Sequence, residues 1–230
     1  MKAFHFVQWY HLDPGYFDGT PYGMLVGNAS LDPVAVKTAF PHARFFGSMN
    51  TQMLPLYGPD NPYFNGLRAA MFPYILWHEG AMIPDRTYDI VFLDWRMIEG
   101  AAVYADYIVD HHSHDVYVDD MTAEAPMHRL LALPEELRAP MAAAYVLWRE
   151  ALLRRLRERI SAPRLLIANT GGFTDPRLDG VTIEQSHIDR SQVLALARFA
   201  ITFNAGALWS VDWSGRWEFP ELGLAAGRIE

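Results

Sequence analysis

Short apolar runs that recur along the whole chain constrain the fold of this sequence more than any other feature. Eight of them are candidate strands, at residues 3–10, 24–29, 44–50, 88–95, 116–120, 165–170, 180–185 and 201–213. Strands that alternate with helices pair in parallel through crossover connections. Since TIM-type barrels typically have about 250 residues and can be as short as about 200, we predict an α/β fold with one compact (β/α)8 barrel, forming a single domain over residues 1–230.

Two of the intervening stretches are predicted helices. Over residues 137–160, apolar side chains recur at spacings of three and four, which indicates one buried helix face: Met141, Tyr145, Trp148, Leu152, Leu156 and Ile160. A shorter helix is predicted over residues 190–199. Residues 57–86 are rich in proline and predict a long loop with at most one short helix, at residues 67–77, so the barrel is expected to be irregular in its first third. A doubly wound open sheet is the alternative architecture.

The composition excludes several classes of protein. Hydrophobic residues make up 51% of the chain and charged residues 20%, which is enough apolar surface for a large core. A formal net charge of −8 disfavours nucleic acid as a partner, because an acidic surface repels phosphates. The chain has no cysteine, which excludes disulfides, thiolate catalysis and cysteine-bound zinc. No cofactor is expected.

The amino-terminal residues indicate where in or outside the cell the protein is expected. They lack the apolar stretch and the small-residue cleavage site of a signal peptide. No stretch reaches the roughly 18 apolar residues that a membrane helix needs. We therefore expect no membrane partner and a cytoplasmic protein as the chain is written, or an extracellular one if the chain is a processed mature domain.

Several of the predicted strands end in carboxylate side chains, namely Asp94, Asp119, Asp120, Glu184 and Asp212. Reactive groups of α/β folds collect outside the carboxyl ends of the strands. Because side chains alternate along a strand, Asp119 and Glu184 are expected to point into the barrel, whereas Asp120 points outward or lies in the loop. Turn-capping aspartates and structural salt bridges, such as one between Asp94 and Arg96, are the alternative interpretations.

Glycoside hydrolysis requires two such carboxyl groups. One protonates the leaving oxygen, and the other acts as the nucleophile or activates water. Asp119 and Glu184 are the candidate pair, with Asp94 and Asp212 as candidate substrate-binding groups. Aromatic rings near the strand ends are candidates for stacking on the apolar faces of sugars, although each ring alone is more commonly a core residue: Trp9, Tyr10, Trp95, Trp209 and Trp213.

The strand ends resemble those of a known family. The segments at residues 92–96, 116–121, 165–169 and 179–186 are similar, in this order, to strand motifs of the endo-α-1,4-polygalactosaminidase group of glycoside hydrolases. The resemblance implies a TIM barrel and an endo-acting, retaining hydrolase of an amino-sugar or neutral polysaccharide. It is carried by residues 92–187 and is poor over the first ninety residues.

The resemblance implies roles for individual residues. Asp119 matches the catalytic aspartate of the family and Glu184 its catalytic glutamate. Asp94, Asn169 and Gln185 match further positions of the strand motifs and are the candidate substrate-binding residues. Asp120 stands where the family usually has asparagine, and it is also included as a candidate substrate contact. The expected partner is a polysaccharide or oligosaccharide substrate.

A histidine cluster supplies a rival hypothesis. His111, His112 and His114 lie between two aspartates over residues 110–115, and this set could bind a transition metal. The cluster precedes the strand at residues 116–120, at the end of a barrel strand where stability rather than catalysis is expected. A polar turn is therefore the favoured interpretation, and no metal site is predicted. A metal-dependent hydrolase and a non-catalytic carbohydrate-binding barrel are the alternative functions.

Overall fold

The computed structural model describes residues 3–6, 22–28, 33–39, 41, 44–55, 62–85, 90–111, 114–170, 173–184, 207–212, 218–219, 224–225 and 227–228. Contacts between Cα atoms divide the chain into two compact units. Unit 1 contains Met1–Met49, His112–Asp119 and Ala162–Glu230, and unit 2 contains Asn50–His111 and Asp120–Ser161. The expectation of one domain over the whole chain stays a prediction.

Strands and helices alternate through much of the described chain. The strands are β1 (Ala3–Phe6), β2 (Tyr22–Asn28), β3 (Arg44–Asn50), β4 (Met53–Pro55), β5 (Trp77–His78), β6 (Ala81–Met82), β7 (Pro84–Asp85), β8 (Ile90–Phe92), β9 (Asp115–Asp119), β10 (Leu166–Asn169), β11 (Gly180–Glu184), β12 (Ala207–Asp212), β13 (Glu218–Phe219), β14 (Leu224–Ala225) and β15 (Gly227–Arg228). The helices are α1 (Pro33–Ala39), α2 (Pro62–Met71), α3 (Glu99–His111), α4 (Met127–Leu131) and α5 (Glu135–Arg159), with a 3-10 turn at Phe72–Tyr74.

Unit 1 is built on an eight-stranded sheet in the order β1-β2-β3-β9-β10-β11-β12-β15. Six of its neighbouring pairs have a described register, and all six are parallel. Cα atoms of β1 and β15, at the two ends of this order, approach within 8 Å. The predicted α/β class with a parallel sheet is therefore confirmed.

The central strands of this sheet are buried on both faces. Val116, Tyr117 and Val118 of β9 are at most 1% exposed, although successive side chains point to opposite faces. Leu166 and Ile167 of β10 are 0% exposed. Continuous apolar runs of this kind are typical of parallel strands that are covered on both sides.

Polar groups hold the amino ends of these strands. The buried Asp115, at the start of β9, accepts hydrogen bonds from Arg44 Nη2 at 3.0 Å and from the Leu165 backbone at 2.8 Å. The hydrogen bond with Asp115 raises the pKa of the Arg44 guanidinium further above its usual range. The Asp179 carboxylate likewise accepts a 2.8 Å hydrogen bond from the backbone of Leu166, the first residue of β10. These acids therefore have structural roles at the amino edge of the sheet.

The strand predicted at residues 88–95 does not join the parallel sheet, and this part of the prediction was wrong. It forms β8, which pairs antiparallel with β4 and β7 in a three-stranded sheet of unit 2. Only residues 86–89 connect β7 to β8, and a parallel pair needs a crossover of a dozen or more residues. The eighth strand of the parallel sheet is instead β15, whose two residues are too few to give a recognisable pattern.

The predicted long helix is confirmed as α5, which begins two residues earlier than expected. All six side chains of the predicted apolar face are at most 1% exposed. Glu135 and Glu136 occupy the first turn, where carboxylates interact favourably with the helix dipole. Helix α2 begins at Pro62 rather than at residue 67, since proline suits the first helical position. The helix predicted at residues 190–199 lies outside the described residues.

Helix α5 packs against α3, a helix that was not predicted. Tyr104, Ala105 and Ile108 on α3 are at most 1% exposed. At the edge of this contact, Asp106 accepts hydrogen bonds from Arg155 at 2.8 and 2.9 Å and from Arg159 at 2.5 Å. No helix in the described part of the chain is both long enough and apolar enough to cross a membrane.

Two leucines of α5 are expected to contribute very differently to the free energy of unfolding. Leu152 is 0% exposed, whereas Leu147 on the same helix is 58% exposed. Replacing Leu152 by alanine removes buried methyl groups and leaves a cavity, so we expect a loss of about 2–5 kcal/mol in the free energy of unfolding. Leu147→Ala makes the same chemical change and should stay within about 0.5 kcal/mol of wild type. Urea unfolding measures both, and equal losses would contradict this packing.

The Asp106 ion pairs predict a pH dependence of stability. Hydrogen bonding from Arg155 lowers the pKa of Asp106 below its usual value of 3.8, against a smaller opposing effect of burial. A group whose pKa is lowered by folding stabilises the folded state at pH values above its pKa in the unfolded chain. This stabilisation is lost as the pH falls through its pKa in the folded protein.

Asp106→Asn should therefore cost up to about 1 kcal/mol of unfolding free energy at pH 7, since these side chains are partly solvated. The difference from wild type should shrink as the pH falls through the lowered pKa of Asp106, because the carboxyl group then becomes protonated in the folded state as well. Asp110→Asn, which removes a more exposed partner of Arg159, should have a smaller effect. A cost for Asp106→Asn that is independent of pH in chemical denaturation would contradict the electrostatic account.

Candidate active site

Three neighbouring strands bring polar residues to one edge of the parallel sheet. Asp119 ends β9, Asn169 ends β10 and Glu184 ends β11, and these strands are consecutive in the sheet. Because they run parallel, their carboxyl ends meet at the same edge. This is the edge at which α/β folds collect their reactive groups, opposite to the edge held by Asp115 and Asp179.

Asp119 and Asn169 are in direct contact. Asn169 Nδ2 donates a hydrogen bond of 3.0 Å to Asp119 Oδ1. Asn169 is buried with 7% exposure, whereas Asp119 is only half-buried. The buried amide therefore orients a carboxylate that is partly exposed to solvent.

The strand register relates Glu184 to this pair. Asn169 lies beside Thr182 in the β10–β11 ladder. Glu184 follows Thr182 by two positions, which assigns both residues to one face of the sheet. Strands lie about 4.8 Å apart, so β9 and β11 are separated by about 10 Å across β10. For Glu184 and the residues of β12, the structure describes the backbone only.

Strand β12 adds two of the predicted residues to the neighbourhood of β11. Trp209 lies beside Thr182 in the β11–β12 ladder, and Asp212 is the last residue of β12. Both therefore belong to the strand next to the one that ends in Glu184. Trp9, Tyr10, Gln185 and Trp213 lie outside the described residues.

Asp94 and Trp95 are corrected by the structure. Asp94 follows β8, which belongs to the antiparallel sheet of unit 2, so it does not end a parallel strand as predicted. Its carboxylate forms a two-pronged ion pair with Arg96, with both distances 2.7 Å, which is the structural alternative. Trp95 is 0% exposed, packs edge-on against Tyr145 and donates its indole N–H to the Gln52 backbone. It is a core residue and offers no face to a sugar.

Asp120 lies in a turn after β9, as predicted, but its polar groups bind protein. Its backbone has a φ of 56°. Its carboxylate accepts hydrogen bonds from Asn50 Nδ2 at 3.0 Å and from Arg129 Nη2 at 3.1 Å. The Asp120 carboxylate therefore has a structural role, and the expectation that it also contacts substrate stays a prediction.

Side chains from elsewhere in unit 2 bind the main chain of Asp120. The Asp120 carbonyl oxygen accepts hydrogen bonds from Thr51 Oγ1 at 3.0 Å, Gln52 Nε2 at 2.8 Å and the Tyr145 hydroxyl at 2.9 Å. We refer to Asn50, Thr51, Gln52, Arg129 and Tyr145 together as the Asp120 clamp. Apart from Tyr145, which was predicted only as part of the apolar face of α5, these residues were not predicted, and their only sequence signal was the polar run at residues 50–52 at the end of an apolar strand.

The histidines of the predicted cluster lie in different environments. The His111 ring stacks on Tyr107 at 3.9 Å between ring centroids, and its Nδ1 lies 2.8 Å from the Tyr107 carbonyl oxygen. The His114 ring packs edge-on against Phe45 at 4.5 Å. His112 lies outside the described residues. Among the residues that the structure describes, no group of three or more metal-binding side chains converges.

Comparisons with known proteins give the fold. No protein-family model and no curated protein sequence matches the chain. The glycoside hydrolase domain of PelA from Pseudomonas aeruginosa is 11% identical, with a TM-score of 0.55 over 99% of this chain and 98% of that one. A variant of that domain is 12% identical, with a TM-score of 0.52 over 91% and 82% of the two chains. The α-galactosidase AgaA of Geobacillus stearothermophilus, in a variant form, is 11% identical, with a TM-score of 0.52 over 96% of this chain and 37% of that enzyme.

The names of all three similar structures identify them as glycoside hydrolases. At sequence identities of 11–12%, the similarity defines the fold and not the substrate. The resemblance that the strand-end motifs predicted is therefore confirmed at the level of the fold: the chain is folded like a glycoside hydrolase domain.

The contact between Asn169 and Asp119 can be tested without any substrate. Asn169→Asp would place two carboxyl groups at the 3.0 Å separation of the present hydrogen bond. Like charges so close raise the pKa of the pair in the folded protein. A group whose pKa is raised by folding stabilises the folded state at pH values below its pKa in the unfolded chain. This stabilisation is lost as the pH rises through its pKa in the folded protein.

The stability cost of Asn169→Asp should therefore grow by about 1–3 kcal/mol between pH 4 and pH 7, which corresponds to a shift of one or two pKa units. Urea unfolding at both pH values measures this growth. Asn65→Asp, on the exposed face of α2, is the control and should show no such growth, because a carboxylate there lies beside the Arg68 guanidinium, which already donates a hydrogen bond to Asn65, and not beside a second acid. A cost for Asn169→Asp that is equal at both pH values would mean that the two side chains do not meet.

Proposed function

We propose that the protein is a glycoside hydrolase that uses Asp119 and Glu184 as its catalytic carboxyl groups. The observation that carries the proposal is the placement of both residues at the carboxyl ends of strands separated only by β10, with Asn169 hydrogen bonded to Asp119 between them. The fold shared with glycoside hydrolase domains supports the same reaction class.

In the proposed reaction, the two carboxyl groups act on opposite sides of one glycosidic bond. Asp119, oriented by the Asn169 amide, attacks the anomeric carbon or stabilises its developing positive charge. Glu184 protonates the leaving oxygen. It afterwards removes a proton from a water molecule that attacks the anomeric carbon and displaces the Asp119 carboxylate from it, which restores both groups. This assignment makes the enzyme retaining, and retention needs carboxyl groups about 5 Å apart.

The proposed substrate is an amino-sugar-containing or neutral polysaccharide, cleaved within the chain. The resemblance of the strand ends to endo-α-1,4-polygalactosaminidases supports this choice. Gln185, Trp9, Tyr10, Trp209 and Asp212 are proposed to contact the sugars around the cleavage point. We also propose that the eight parallel strands close into a (β/α)8 barrel, a view supported by the approach of β1 to β15.

Activity is tested by the release of reducing ends from α-1,4-polygalactosamine, chitosan and a neutral galactan. We expect the wild type to cleave at least one of them. Asp119→Asn and Glu184→Gln should each lower kcat by about 10²–10⁴-fold, the range for loss of a general acid or base. The first product, read by proton NMR, should keep the anomeric configuration of the substrate.

Asp110→Asn and Glu158→Gln are the matched controls, because they make the same chemical changes on the exposed surface. Both should retain wild-type kcat. If the wild type binds one of the polymers without cleaving any, and both active-site variants bind equally well, the protein is a carbohydrate-binding module and the proposal is wrong.

A further inference from the structure

A hairpin of unit 2 exposes large apolar side chains to solvent. Trp77 on β5 is 43% exposed, and Met82, which pairs with it on β6, is 36% exposed. Phe72, in the preceding 3-10 turn, is 56% exposed, and its ring meets that of Trp77 edge to face, with 5.8 Å between the ring centroids. Both rings therefore remain partly open to solvent. We refer to Phe72, Trp77 and Met82 together as the aromatic platform.

The hairpin is fixed to the core of unit 2 from beneath. Leu76 and Ile83, the chain neighbours of Trp77 and Met82, are 0% and 8% exposed. The Leu76 N–H donates a hydrogen bond of 2.8 Å to the Phe92 carbonyl, and the Ile83 carbonyl accepts one of 3.2 Å from the Phe92 N–H. Outward positions of such strands ordinarily carry polar residues. Here they carry tryptophan and methionine on a rigid support, which lowers the entropic cost of binding a ligand.

Carboxylate groups lie beside the aromatic platform. Glu79 is exposed in the two-residue turn of the hairpin, where its φ of 49° and the φ of 78° at Gly80 match a type I′ turn. Glu136, in the first turn of α5, is also exposed, and its Oε1 lies 2.9 Å from His78 Nε2. Residues 72–85 contain no lysine or arginine. The charges near the platform therefore favour a positively charged ligand.

The area of the aromatic platform decides between two kinds of ligand. A large side chain has roughly 200 Å² of surface, so the exposed fractions of the platform amount to roughly 300 Å². A stable protein partner buries about 800 Å² on each side. A sugar ring needs much less, because its apolar face can stack on a single aromatic ring. The platform therefore suits a carbohydrate better than a protein.

We propose that the aromatic platform is a second carbohydrate site, which binds a polymer of cationic amino sugars separately from the candidate active site. One sugar ring stacks on the exposed part of the Trp77 indole, and Phe72 extends the apolar surface. Protonated amino groups of the polymer lie near the carboxylates of Glu79 and Glu136. The choice of an amino sugar rests on the proposed function, whereas the site itself consists only of residues of unit 2.

Fluorine NMR of Trp77 tests this inference. The chain has seven tryptophans, and after fluorotryptophan labelling the signal that Trp77→Phe removes belongs to Trp77. A galactosamine oligomer should shift this signal until it saturates. A galactose oligomer should bind about 3- to 10-fold more weakly and a galacturonic acid oligomer most weakly, because they lack the amino groups. The titrations use the Glu184→Gln protein, so that the oligomers stay intact. A Trp77 signal that the galactosamine oligomer does not shift would overturn the inference.

Variants around Trp77 are measured through the same signal. Phe72→Ala shortens the platform and should raise the Kd of the galactosamine oligomer by about 3- to 10-fold. Leu147→Ala removes an exposed apolar side chain of α5 and should leave this Kd unchanged. Glu79→Gln combined with Glu136→Gln should raise it by about 3- to 10-fold, while the Kd of the galactose oligomer changes by less than about 2-fold. Equal Kd values for Phe72→Ala and Leu147→Ala would contradict binding at the platform.

Cleavage and platform binding give separate results. If the wild type cleaves none of the polymers but the Trp77 signal responds as expected, the proposed function is wrong and the platform site stands. If the wild type cleaves a polymer but the Trp77 signal does not respond, the proposed function stands and the inference is wrong. Self-association that Trp77→Ala abolishes, with a Trp77 signal that no oligomer shifts, would instead identify a protein interface and would also overturn the inference.

Discussion

The parallel hydrogen-bond ladder between β9, β10 and β11 is the constraint on which the candidate active site depends. Side chains alternate along each strand, so a slip of one residue in either ladder would turn a whole strand over. The observed register keeps Asp119 beside Asn169 and assigns Glu184 to the face of the sheet that carries Thr182. Residues 50 positions apart in the chain thereby become hydrogen-bonded neighbours. The geometry of the candidate active site is therefore set first by strand pairing.

The same sheet separates structural acids from the candidate catalytic ones. Asp115 and Asp179 bind backbone amides or Arg44 at the amino ends of the strands, where their charge is used within the protein. Asp119 lies at the opposite end of β9 and retains access to solvent. Acids of one chemical type thus have different roles because the strand direction places them at different edges. This division matches the general behaviour of α/β folds.

Structural elements that depend on the local spacing of residues could be predicted from the sequence, whereas pairings between distant segments could not. Helix α5 was readable because its apolar residues recur at helical spacing. The strand ends at Asp119 and Asn169 were readable because short apolar runs stop there. The direction of β8 depends on the short connection after β7, which apolar periodicity does not reveal. Helix α3 was missed because small alanines occupy much of its buried face. The Asp120 clamp joins distant segments through individual polar contacts, which leave almost no pattern in the sequence.

The order in which the two units occur along the chain has an evolutionary consequence. Both units are discontinuous, and the segment His112–Asp119 of unit 1 separates the two segments of unit 2. Helices α3 and α5 come from different segments of unit 2 and pack against each other. A recombination event that imported only one of these segments from a relative would join mismatched helix faces. Unit 2 must therefore be inherited as a matched pair of segments on either side of β9, so its two halves are expected to diverge together.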